Sequence, residues 1–253
     1  MSRKLALVTG ARRGIGRAVA VELARRGFDL ALVDLERDED ARETLALAAG
    51  EGARATFVAA DLADLSRHAG IVAEARALGP LACLVNNAGI GSPLRGDLLD
   101  LAPDNFDRVM AVNLRGTLFL TLAAARSMLA DPPAEGRAIV TITSVSAGLA
   151  SPERADYCVS KAGLAMFVQA LALRLAPAGI GVFDVRPGVI RTPMTQPVAA
   201  RYDERIVAGL VPAGRWGEPD DVARAVGALA SGDFAFATGS VIAVDGGLSV
   251  ARL

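Results

Sequence analysis

The sequence is poor in the residues that most often carry nucleophilic and metal chemistry. Among its 253 residues there are one histidine, His68, and two cysteines, Cys83 and Cys158. A lone histidine argues against a His-based catalytic triad and against a histidine-rich metal site, and we expect His68 to lie on the surface. The two cysteines lack the spacing of a metal site. Cys83 sits in an apolar run and is expected in the core, without a disulfide.

Charge excess and long apolar runs are also missing. The formal net charge is −1, so no basic surplus indicates nucleic acid or an anionic membrane as a partner. No unbroken apolar run reaches the roughly 18 residues of a membrane span, and the run at residues 5–8 is short for a signal peptide. We therefore expect a cytoplasmic protein with neither a nucleic-acid nor a membrane partner.

What the sequence does contain is hydrophobic residues, 52% of the chain, in short runs that alternate with amphipathic segments. The runs are continuous, as in strands covered by helices on both faces. This alternation predicts an α/β fold with one domain over residues 1–253 and a doubly wound, mostly parallel, seven-stranded sheet with helices on both faces. The predicted strands are 4–9, 28–33, 53–60, 81–85, 137–143, 180–185 and 240–244, and the predicted helices are 14–26, 38–49, 64–77, 104–129, 157–176 and 219–230.

A glycine-rich turn, residues 10–16, follows the first predicted strand. Glycines there let the backbone approach a pyrophosphate, and the helix N-terminus supplies N–H donors with partial positive charge. Asp34 ends the second predicted strand, where a carboxylate can accept hydrogen bonds from the adenine ribose and repel a 2′-phosphate. Arg12 and Arg13 indicate the opposite, since a guanidinium could hold that phosphate. We give Asp34 the greater weight and predict NAD, with NADP as the alternative.

Tyr157 and Lys161 form the most informative pair. The chain has two tyrosines and two lysines, and one of each lies here, four residues apart in a helix-compatible segment. Residues four apart share one helix face. A neighbouring ammonium stabilises a phenolate and lowers the pKa of the phenol, which makes tyrosine a usable acid/base at neutral pH. The pair predicts catalysis without defining the reaction.

Over nearly its full length the chain resembles the short-chain dehydrogenase/reductase family. The matching segments, in order, are 9–16, Asp61-Leu62, Asn86-Asn87-Ala88-Gly89, Asn113, Ser144, Tyr157, Lys161, Pro187-Gly188 and Val244-Asp245-Gly246-Gly247. Within the family it is similar to the group labelled 3-oxoacyl-acyl-carrier-protein reductase, a label that covers many unrelated substrates. The resemblance implies a Rossmann-type fold and an oxidoreductase that uses NAD or NADP.

The resemblance also implies a catalytic set. Tyr157 would be the general acid/base, and Lys161 would lower the pKa of Tyr157 and hydrogen-bond the nicotinamide ribose. Ser144 would hold the substrate oxygen and stabilise its developing charge, although a serine at a strand end could equally be a simple turn or cap. Asn113, polar in an apolar helix, would either bind a water that leads to Lys161 or kink and cap the helix.

The cofactor would lie along the carboxyl ends of the strands. By the resemblance, Asp61 would bind the adenine edge, Asn87 and Gly89 would border the cofactor backbone, and Ile190 and Thr192 would contact the nicotinamide carboxamide. The expected cofactor-binding residues are Gly10, Arg12, Arg13, Gly14, Ile15, Gly16, Asp34, Asp61, Leu62, Asn87, Gly89, Tyr157, Lys161, Pro187, Gly188, Ile190 and Thr192.

Residues 187–217 form the one irregular stretch, with four prolines, and a connection of that length is more often functional than idle. By the resemblance, residues 188–214 or so would form a lid over the substrate. Arg95, Arg154 and Arg191 fall in loops expected to surround the site. They would favour an anionic or strongly polar substrate, unless they are solvated surface.

The leading prediction is an NAD(H)-dependent oxidoreductase acting on a secondary alcohol or ketone: a sugar, a polyol or another small carbonyl compound. The alternatives are an NADPH-dependent 3-oxoacyl-acyl-carrier-protein reductase and a non-catalytic dinucleotide-sensing regulator, which would not need the catalytic set. A Rossmann-like methyltransferase would not need the Tyr–Lys pair. Two helices, around residues 109–125 and 164–175, are apolar nearly all round, which predicts a homo-oligomer; the resemblance implies a homotetramer.

Overall fold

A seven-stranded parallel sheet forms the centre of the described part of the chain. The computed structural model describes residues 3–132 and 134–252, so Met1, Ser2, Pro133 and Leu253, within the expected 1–253 domain, lie outside the described residues. The strands are β1 (Lys4–Thr9), β2 (Phe28–Asp34), β3 (Ala55–Ala59), β4 (Leu81–Asn86), β5 (Arg137–Ile142), β6 (Ile180–Pro187) and β7 (Val241–Val244). Their order across the sheet is β3-β2-β1-β4-β5-β6-β7, and every neighbouring pair is parallel. The predicted fold class is confirmed.

Helices cover both faces of the sheet. They are α1 (Gly14–Arg25), α2 (Glu39–Gly50), α3 (His68–Arg76), α4 (Pro103–Met110), α5 (Thr117–Ala130), α6 (Ala155–Leu175), α7 (Ala199–Val207) and α8 (Pro219–Ala230). On β1, Ala6 and Val8 belong to a core with α1, α2 and α8. Leu5 and Leu7 belong to a second core with α3, α5 and α6. Successive strand residues point to opposite faces, so both must be apolar, which explains the continuous runs.

The topology leaves one edge of the sheet open to a ligand. All carboxyl ends of the parallel strands lie on the same edge. The chain runs from β1 outward through β2 and β3, then returns to β4 on the other side of β1. The loops after β1 and β4 therefore diverge and leave a crevice, the usual ligand position in open α/β sheets.

The segment between β4 and β5 holds one interrupted helix. A π-helical stretch, Ala111–Gly116, separates α4 from α5. The predicted helix 104–129 is thus correct in extent but not uniform, and Asn113 lies in the π-helical stretch. Such wider turns are frequent at functional sites.

Three expectations meet different outcomes. Cys83 is buried, which confirms its core position, and burial raises the pKa of its thiol to about 12.

The surface prediction for His68 is wrong. The side chain is 4% exposed and its Nε2 lies 2.9 Å from the Leu62 carbonyl oxygen, because α3 begins at His68 and points its first side chain inward. The stretch 187–217 is less irregular than predicted, since it contains α7, whose Ile206 packs with Val211 and Trp216 in a small third core.

The outer faces of α5 and α6 are apolar and exposed. Phe119 and Leu129 of α5 and Met166 and Leu173 of α6 stand 40–81% exposed. The segment Pro152–Ala178, which includes α6, is long and apolar enough by length and composition to cross a membrane. Core helices meet the same criterion, and the inner face of α6 packs into the second core through Val168, Leu171 and Leu175.

Candidate active site

A cleft of about 840 Å³ lies along the carboxyl edge of the sheet. It is lined by every expected cofactor-binding residue except Gly16, and also by Ser144. Gly16 and Asn113 lie behind its wall, so the structure brings the predicted residues together as one group around one cleft.

The glycine turn closes tightly against the loop after β4. Gly14 has a φ of +58°, a left-handed conformation that favours glycine. A Cβ on Gly16 would lie 1.9 Å from the Gly10 carbonyl oxygen, so no side chain fits there. Asn87 Nδ2 donates hydrogen bonds to the carbonyl oxygens of Thr9 and Gly10 at 3.0 and 2.9 Å. The Asn87 side chain thus secures the turn.

The end of β2 is rich in carboxylates that are already engaged. Asp34 accepts hydrogen bonds from the backbone N–H of Arg12 at 3.0 Å and of Leu35 at 2.8 Å. The Arg12 guanidinium is held by Asp38 at 2.5 Å and Glu36 at 3.3 Å. Arg12, which could otherwise hold a 2′-phosphate, therefore forms ion pairs with two acids.

Asp61 and Leu62 continue the same wall of the cleft beyond β3. The Asp61 carboxylate accepts a hydrogen bond from the backbone N–H of Ala63 at 2.8 Å, as in an ordinary strand-end turn, while remaining exposed. Leu62 is buried, and a Cβ on Gly116 would lie 2.4 Å from its carbonyl oxygen. The π-helical stretch therefore packs directly beneath this wall.

Asn113 fixes the backbone after β4. Its Oδ1 accepts the Ile90 N–H at 2.8 Å, and its Nδ2 donates to the Ile90 carbonyl at 2.9 Å and to Ser160 Oγ at 3.2 Å. A Cβ on Gly89 would lie 3.2 Å from Asn113 Oδ1 and 3.6 Å from Lys161 Nζ. Asn113 and Lys161 thus approach the same glycine from inside the protein.

Tyr157 and Lys161 occupy the first turns of α6. Lys161 is 4% exposed, and its Nζ donates a hydrogen bond to the Ile142 carbonyl at 3.0 Å, at the end of β5. The same Nζ lies 5.7 Å from the centre of the Tyr157 ring. The pair lies side by side, as the spacing predicts.

Burial controls the pKa values of both groups. It lowers the pKa of Lys161 to about 8, against the opposing charge of buried Asp184. It raises the pKa of Tyr157 above the ordinary value, and a hydrogen bond from Ser144 and the charge of Arg154 act in the lowering direction. The charge of Arg154 thus acts in the direction that favours the Tyr157 phenolate.

Ser144 caps a turn and lines the cleft. Its Oγ accepts the backbone N–H of Ser146 at 3.0 Å and so caps the turn Val145–Ala147. It is buried, lines the cleft and adjoins Tyr157. The cap is therefore present, and the same residue also lines the cleft.

The stretch after β6 closes the other side of the cleft. A Cβ on Gly188 would lie 2.7 Å from Asp245 Cβ, which explains a glycine beside the C-terminal Asp-Gly-Gly motif. Thr192 comes next to the glycine turn, since a Cβ on Gly14 would lie 3.7 Å from it. From α7, Tyr202 and Arg205 also line the cleft.

The three expected loop arginines separate. Arg95 and Arg154 line the cleft. Arg191 lies outside it: its guanidinium sits 4.8 Å from the Trp216 ring centre and 3.5 Å from Glu218. The expectation that Arg191 surrounds the site is wrong, because Trp216 and Glu218 hold its side chain outside the cleft.

Sequence reasoning missed Asp184 and Asp156. Asp184, on β6, accepts hydrogen bonds from Thr143 and, at 2.8 Å, from Arg186. Asp156 accepts the N–H of Tyr157 at 2.7 Å and the Ser92 hydroxyl at 2.5 Å. The position of Asp184 inside an otherwise apolar strand could have indicated a functional acid, whereas nothing in the sequence around Asp156 did.

The residues present fit a dinucleotide. Helix α1 begins without a side-chain cap, so its first N–H groups face the cleft unoccupied by protein side chains, as a pyrophosphate requires. Asp34 and Asp61 flank one end of the cleft, and Tyr157 and Lys161 lie at the other.

Comparison with known proteins agrees with this geometry. The family model described as Enoyl-(Acyl carrier protein) reductase matches residues 10–249. L-rhamnose 1-dehydrogenase (NAD(P)(+)) of Azotobacter vinelandii is 39% identical, covering 98% of this chain and 97% of its own. The chain belongs to the short-chain dehydrogenase/reductase family. The (3R)-3-hydroxyacyl-CoA dehydrogenase of Canis lupus familiaris is 37% identical, covering 96% and 95%.

A solved short-chain dehydrogenase/reductase structure is similar throughout. The 3-oxoacyl-(acyl-carrier protein) reductase from Brucella melitensis in complex with NAD is 56% identical, covers 100% of both chains and superposes with a TM-score of 0.97. As a member of this family, the chain is an NAD(P)-linked oxidoreductase that acts on CH–OH groups of a small-molecule substrate.

Proposed function

We propose that this short-chain dehydrogenase/reductase transfers hydride between NAD(H) and a secondary alcohol or ketone, such as a sugar, a polyol or another small carbonyl compound. The observation that carries the proposal is the meeting of Tyr157, buried Lys161 and Ser144 at one end of a dinucleotide-sized cleft. Asn113, behind the wall, completes the catalytic set.

Tyr157 is the proton carrier in this proposal. In alcohol oxidation its phenolate oxygen accepts the hydroxyl proton as the carbon-bound hydrogen leaves with its electron pair and the carbonyl forms. Bound nicotinamide supplies the hydride acceptor for oxidation and the hydride donor for reduction. Ser144 donates a hydrogen bond to the substrate oxygen and stabilises the charge that develops there.

Lys161 and Asn113 organise this proton transfer. Burial holds the pKa of Lys161 at about 8, so near neutral pH its ammonium remains charged and can hydrogen-bond a ribose hydroxyl. Asn113 fixes Ile90 beside Gly89, the glycine that Lys161 also approaches. A water bound between Asn113 and Lys161 would give the proton a route away from Tyr157.

The acids at the end of β2 support NAD over NADP. Asp34 lies where the ribose hydroxyls would bind, and Asp38 and Glu36 hold Arg12. A 2′-phosphate bound there would lie near carboxylates, and like charges in proximity are unfavourable. Asp61, Leu62, Asn87, Pro187, Gly188, Ile190 and Thr192 complete the proposed cofactor site.

A second candidate is an NADPH-dependent 3-oxoacyl-acyl-carrier-protein reductase. It is favoured by the name of the similar Brucella melitensis structure, although that structure is a complex with NAD. Arg13 is the observation on its side, since its only carboxylate within 4.0 Å among the described residues is Asp40, at that limit.

The remaining proposals concern organisation. We infer a single catalytic domain over residues 1–253 with a lid at about 188–214, a homotetramer and a cytoplasmic location, with neither nucleic acid nor membrane as partner. The exposed Phe119, Leu129, Met166 and Leu173 support association, because large apolar side chains gain free energy when they are removed from water. A solution mass by light scattering of one 26.0 kDa chain would refute the tetramer.

Tyr157→Phe tests the proposed function. Turnover of secondary alcohols with NAD should fall by about 10²- to 10⁴-fold, the usual contribution of general acid–base catalysis. NADH affinity, followed by nicotinamide fluorescence, should stay near wild type and exceed NADPH affinity.

The control is Tyr202→Phe, which removes the hydroxyl of the chain's other tyrosine, also in the cleft. Near-wild-type turnover in Tyr157→Phe would overturn the assigned role. Preference for NADPH would favour the 3-oxoacyl reductase, and failure to bind either nucleotide would favour the regulator.

A further inference from the structure

The two ends of the cleft differ in charge. Its only lining carboxylates, among the described residues, are Asp34 and Asp61, both at the end expected to hold adenosine. At the other end the lining includes Arg95, Arg154 and Arg205 together with Lys161, and no acid. Arg12, Arg13 and Arg108 also line the cleft. Arg12 and Arg13 each have a carboxylate within 4.0 Å, whereas the four cations at the reacting end have none at that distance among the described residues.

Arg154 is the arginine nearest the reacting group. Its guanidinium carbon lies 5.5 Å from the centre of the Tyr157 ring, and its Nη2 donates a long hydrogen bond of 3.4 Å to Ser146 Oγ. The side chain is half-buried. It is the residue just before α6, so the helix that carries Tyr157 and Lys161 also fixes the position of Arg154.

These arginines form no ion pair within the described part of the chain, although the charge of Glu153 acts on Arg95 and Arg154 from a longer distance. Neither Arg95, Arg154 nor Arg205 has a carboxylate within 4 Å in the described part of the chain. Arginines just outside the cleft are paired: Arg201 with Glu153 at 2.9 Å and Arg215 with Asp221 at 2.7 Å. Glu153, the neighbour of Arg154 in sequence, is thus taken by Arg201.

A guanidinium that is half-buried and lacks a carboxylate partner is disposed to bind one. Its planar fork donates two parallel hydrogen bonds to a carboxylate, and burial strengthens the attraction relative to open solvent. A neutral alcohol or ketone would leave the half-buried Arg154 guanidinium without an ion-pair partner, whereas Arg95 and Arg205 are exposed to solvent.

We propose that the substrate is a hydroxy acid or oxo acid whose carboxylate is bound by Arg154, with Arg95 and Arg205 adding positive charge at the mouth. The inference rests on the proposed function, which it deepens by naming the substrate class. Arg154 would select the substrate and orient its hydroxyl or carbonyl toward Tyr157 and Ser144.

The test compares acids with their neutral counterparts. Hydroxy acids of three to six carbons, each paired with its methyl ester, are titrated into the enzyme–NADH complex and followed by thermal shift. At least one acid should bind more tightly than its ester in wild type. That preference should fall by about ten- to hundredfold in Arg154→Gln, the usual effect of losing a charge-assisted hydrogen bond.

Arg224→Gln is the matched control, since it removes the same charge from an exposed arginine that pairs with Asp221 outside the cleft. It should leave the acid preference unchanged, and Arg154→Lys should restore part of it. Equal binding of acid and ester in every pair, or tighter binding of phosphate monoesters than of hydroxy acids, would overturn the proposal.

A binding readout separates this proposal from the proposed function. Tyr157→Phe should keep the acid preference while losing turnover. If wild type binds acids selectively but oxidises none of them, the dehydrogenase assignment fails and the anion site stands. If it oxidises neutral alcohols without any acid preference, the dehydrogenase assignment stands and the anion site fails.

Discussion

The adenosine end of the cleft and its reacting end are built on opposite electrostatic principles. At the adenosine end the charged groups have partners within the protein: Asp34 accepts two backbone N–H groups, and Arg12 is held by Asp38 and Glu36. At the reacting end Lys161 is buried against a carbonyl oxygen, and Arg154 has no acid within 4 Å among the described residues.

The difference reflects what each end must do. Recognition of an unchanging adenosine benefits from a rigid surface, because groups already held in place lose little conformational freedom on binding. Catalysis needs groups whose proton affinity is displaced from its ordinary value, and such displacement requires burial or unpaired charge. The reacting end therefore carries a folding cost that the adenosine end does not.

Lys161→Met breaks the reacting end and has the largest expected effect. Turnover should fall by about 10²- to 10⁴-fold, because the variant loses the cation that assists proton transfer. The free energy of unfolding should rise instead. Burial depresses the folded pKa of Lys161 from 10.5 to about 8, and this costs about 3 kcal/mol of unfolding free energy wherever the lysine is charged in both states.

The pH dependence isolates that cost. It is fully present below pH 8 or so and disappears as the pH rises toward 10.5, because the folded state releases its proton first. Urea unfolding of wild type and Lys161→Met across this range should show wild type gaining stability relative to the variant. If the difference in unfolding free energy between the two proteins stayed constant with pH, the depressed pKa would be contradicted. The Ile142 carbonyl, which loses its hydrogen bond in Lys161→Met, does not affect this test, because its cost does not vary with pH.

How far the sequence predicts this molecule also differs between the two ends. The strands, the glycine turn and Asp34 follow from local patterns: apolar runs bounded by turns, and an acid at a strand end. The Tyr157–Lys161 pair follows from helical spacing. These features depend on residues close together in the chain, and the structure places them as expected around one cleft.

The features that the sequence did not predict depend on distant partners. The sequence allows Arg12 to bind a 2′-phosphate, but in the structure Asp38, at the start of α2, holds the Arg12 guanidinium. The sequence places Arg191 in a loop beside the site, but in the structure Trp216 and Glu218 hold its side chain elsewhere. His68 resembled a surface residue because only the folded chain brings the Leu62 carbonyl to its ring. Side-chain pairing across elements has no local signature.

Releasing Arg12 tests the adenosine end with a smaller expected effect. The double variant Glu36→Gln/Asp38→Asn removes both acids that hold the guanidinium, and the amide oxygen introduced by Asp38→Asn can still cap α2. NADPH affinity should rise by about tenfold relative to NADH, since a freed guanidinium can pair with the 2′-phosphate. Nicotinamide fluorescence titration with both nucleotides measures the ratio.

Glu43→Gln is the control for that experiment. Glu43 is exposed on α2 and pairs with Arg17 at 2.6 Å, without touching Arg12. It removes one carboxylate from the same helix, so an equal gain in NADPH affinity would mean that net charge, rather than the release of Arg12, sets the preference.

Asp184→Asn is the smallest change and the most direct probe of the reacting end. The Asp184 charge raises the pKa of Lys161 against the effect of burial, so its removal should lower the lysine pKa below about 8. Because the chain has two lysines, ¹³C-labelled lysine gives two side-chain NMR signals, and Lys4→Arg assigns them. The Lys161 signal can then be titrated directly, without a substrate.

A structural role for Asp184 alone predicts a different result. Asp184 also accepts hydrogen bonds from Thr143 and Arg186, so Asp184→Asn would destabilise β6 even if Lys161 were unaffected. In that case the unfolding free energy would fall while the Lys161 titration stayed in place. Arg186→Gln separates the contributions, because it disturbs the Asp184–Arg186 pair and keeps the carboxylate charge near Lys161. A Lys161 pKa that falls in Asp184→Asn and does not fall in Arg186→Gln would establish that the lysine at the reacting end depends on a buried acid of a different element, β6.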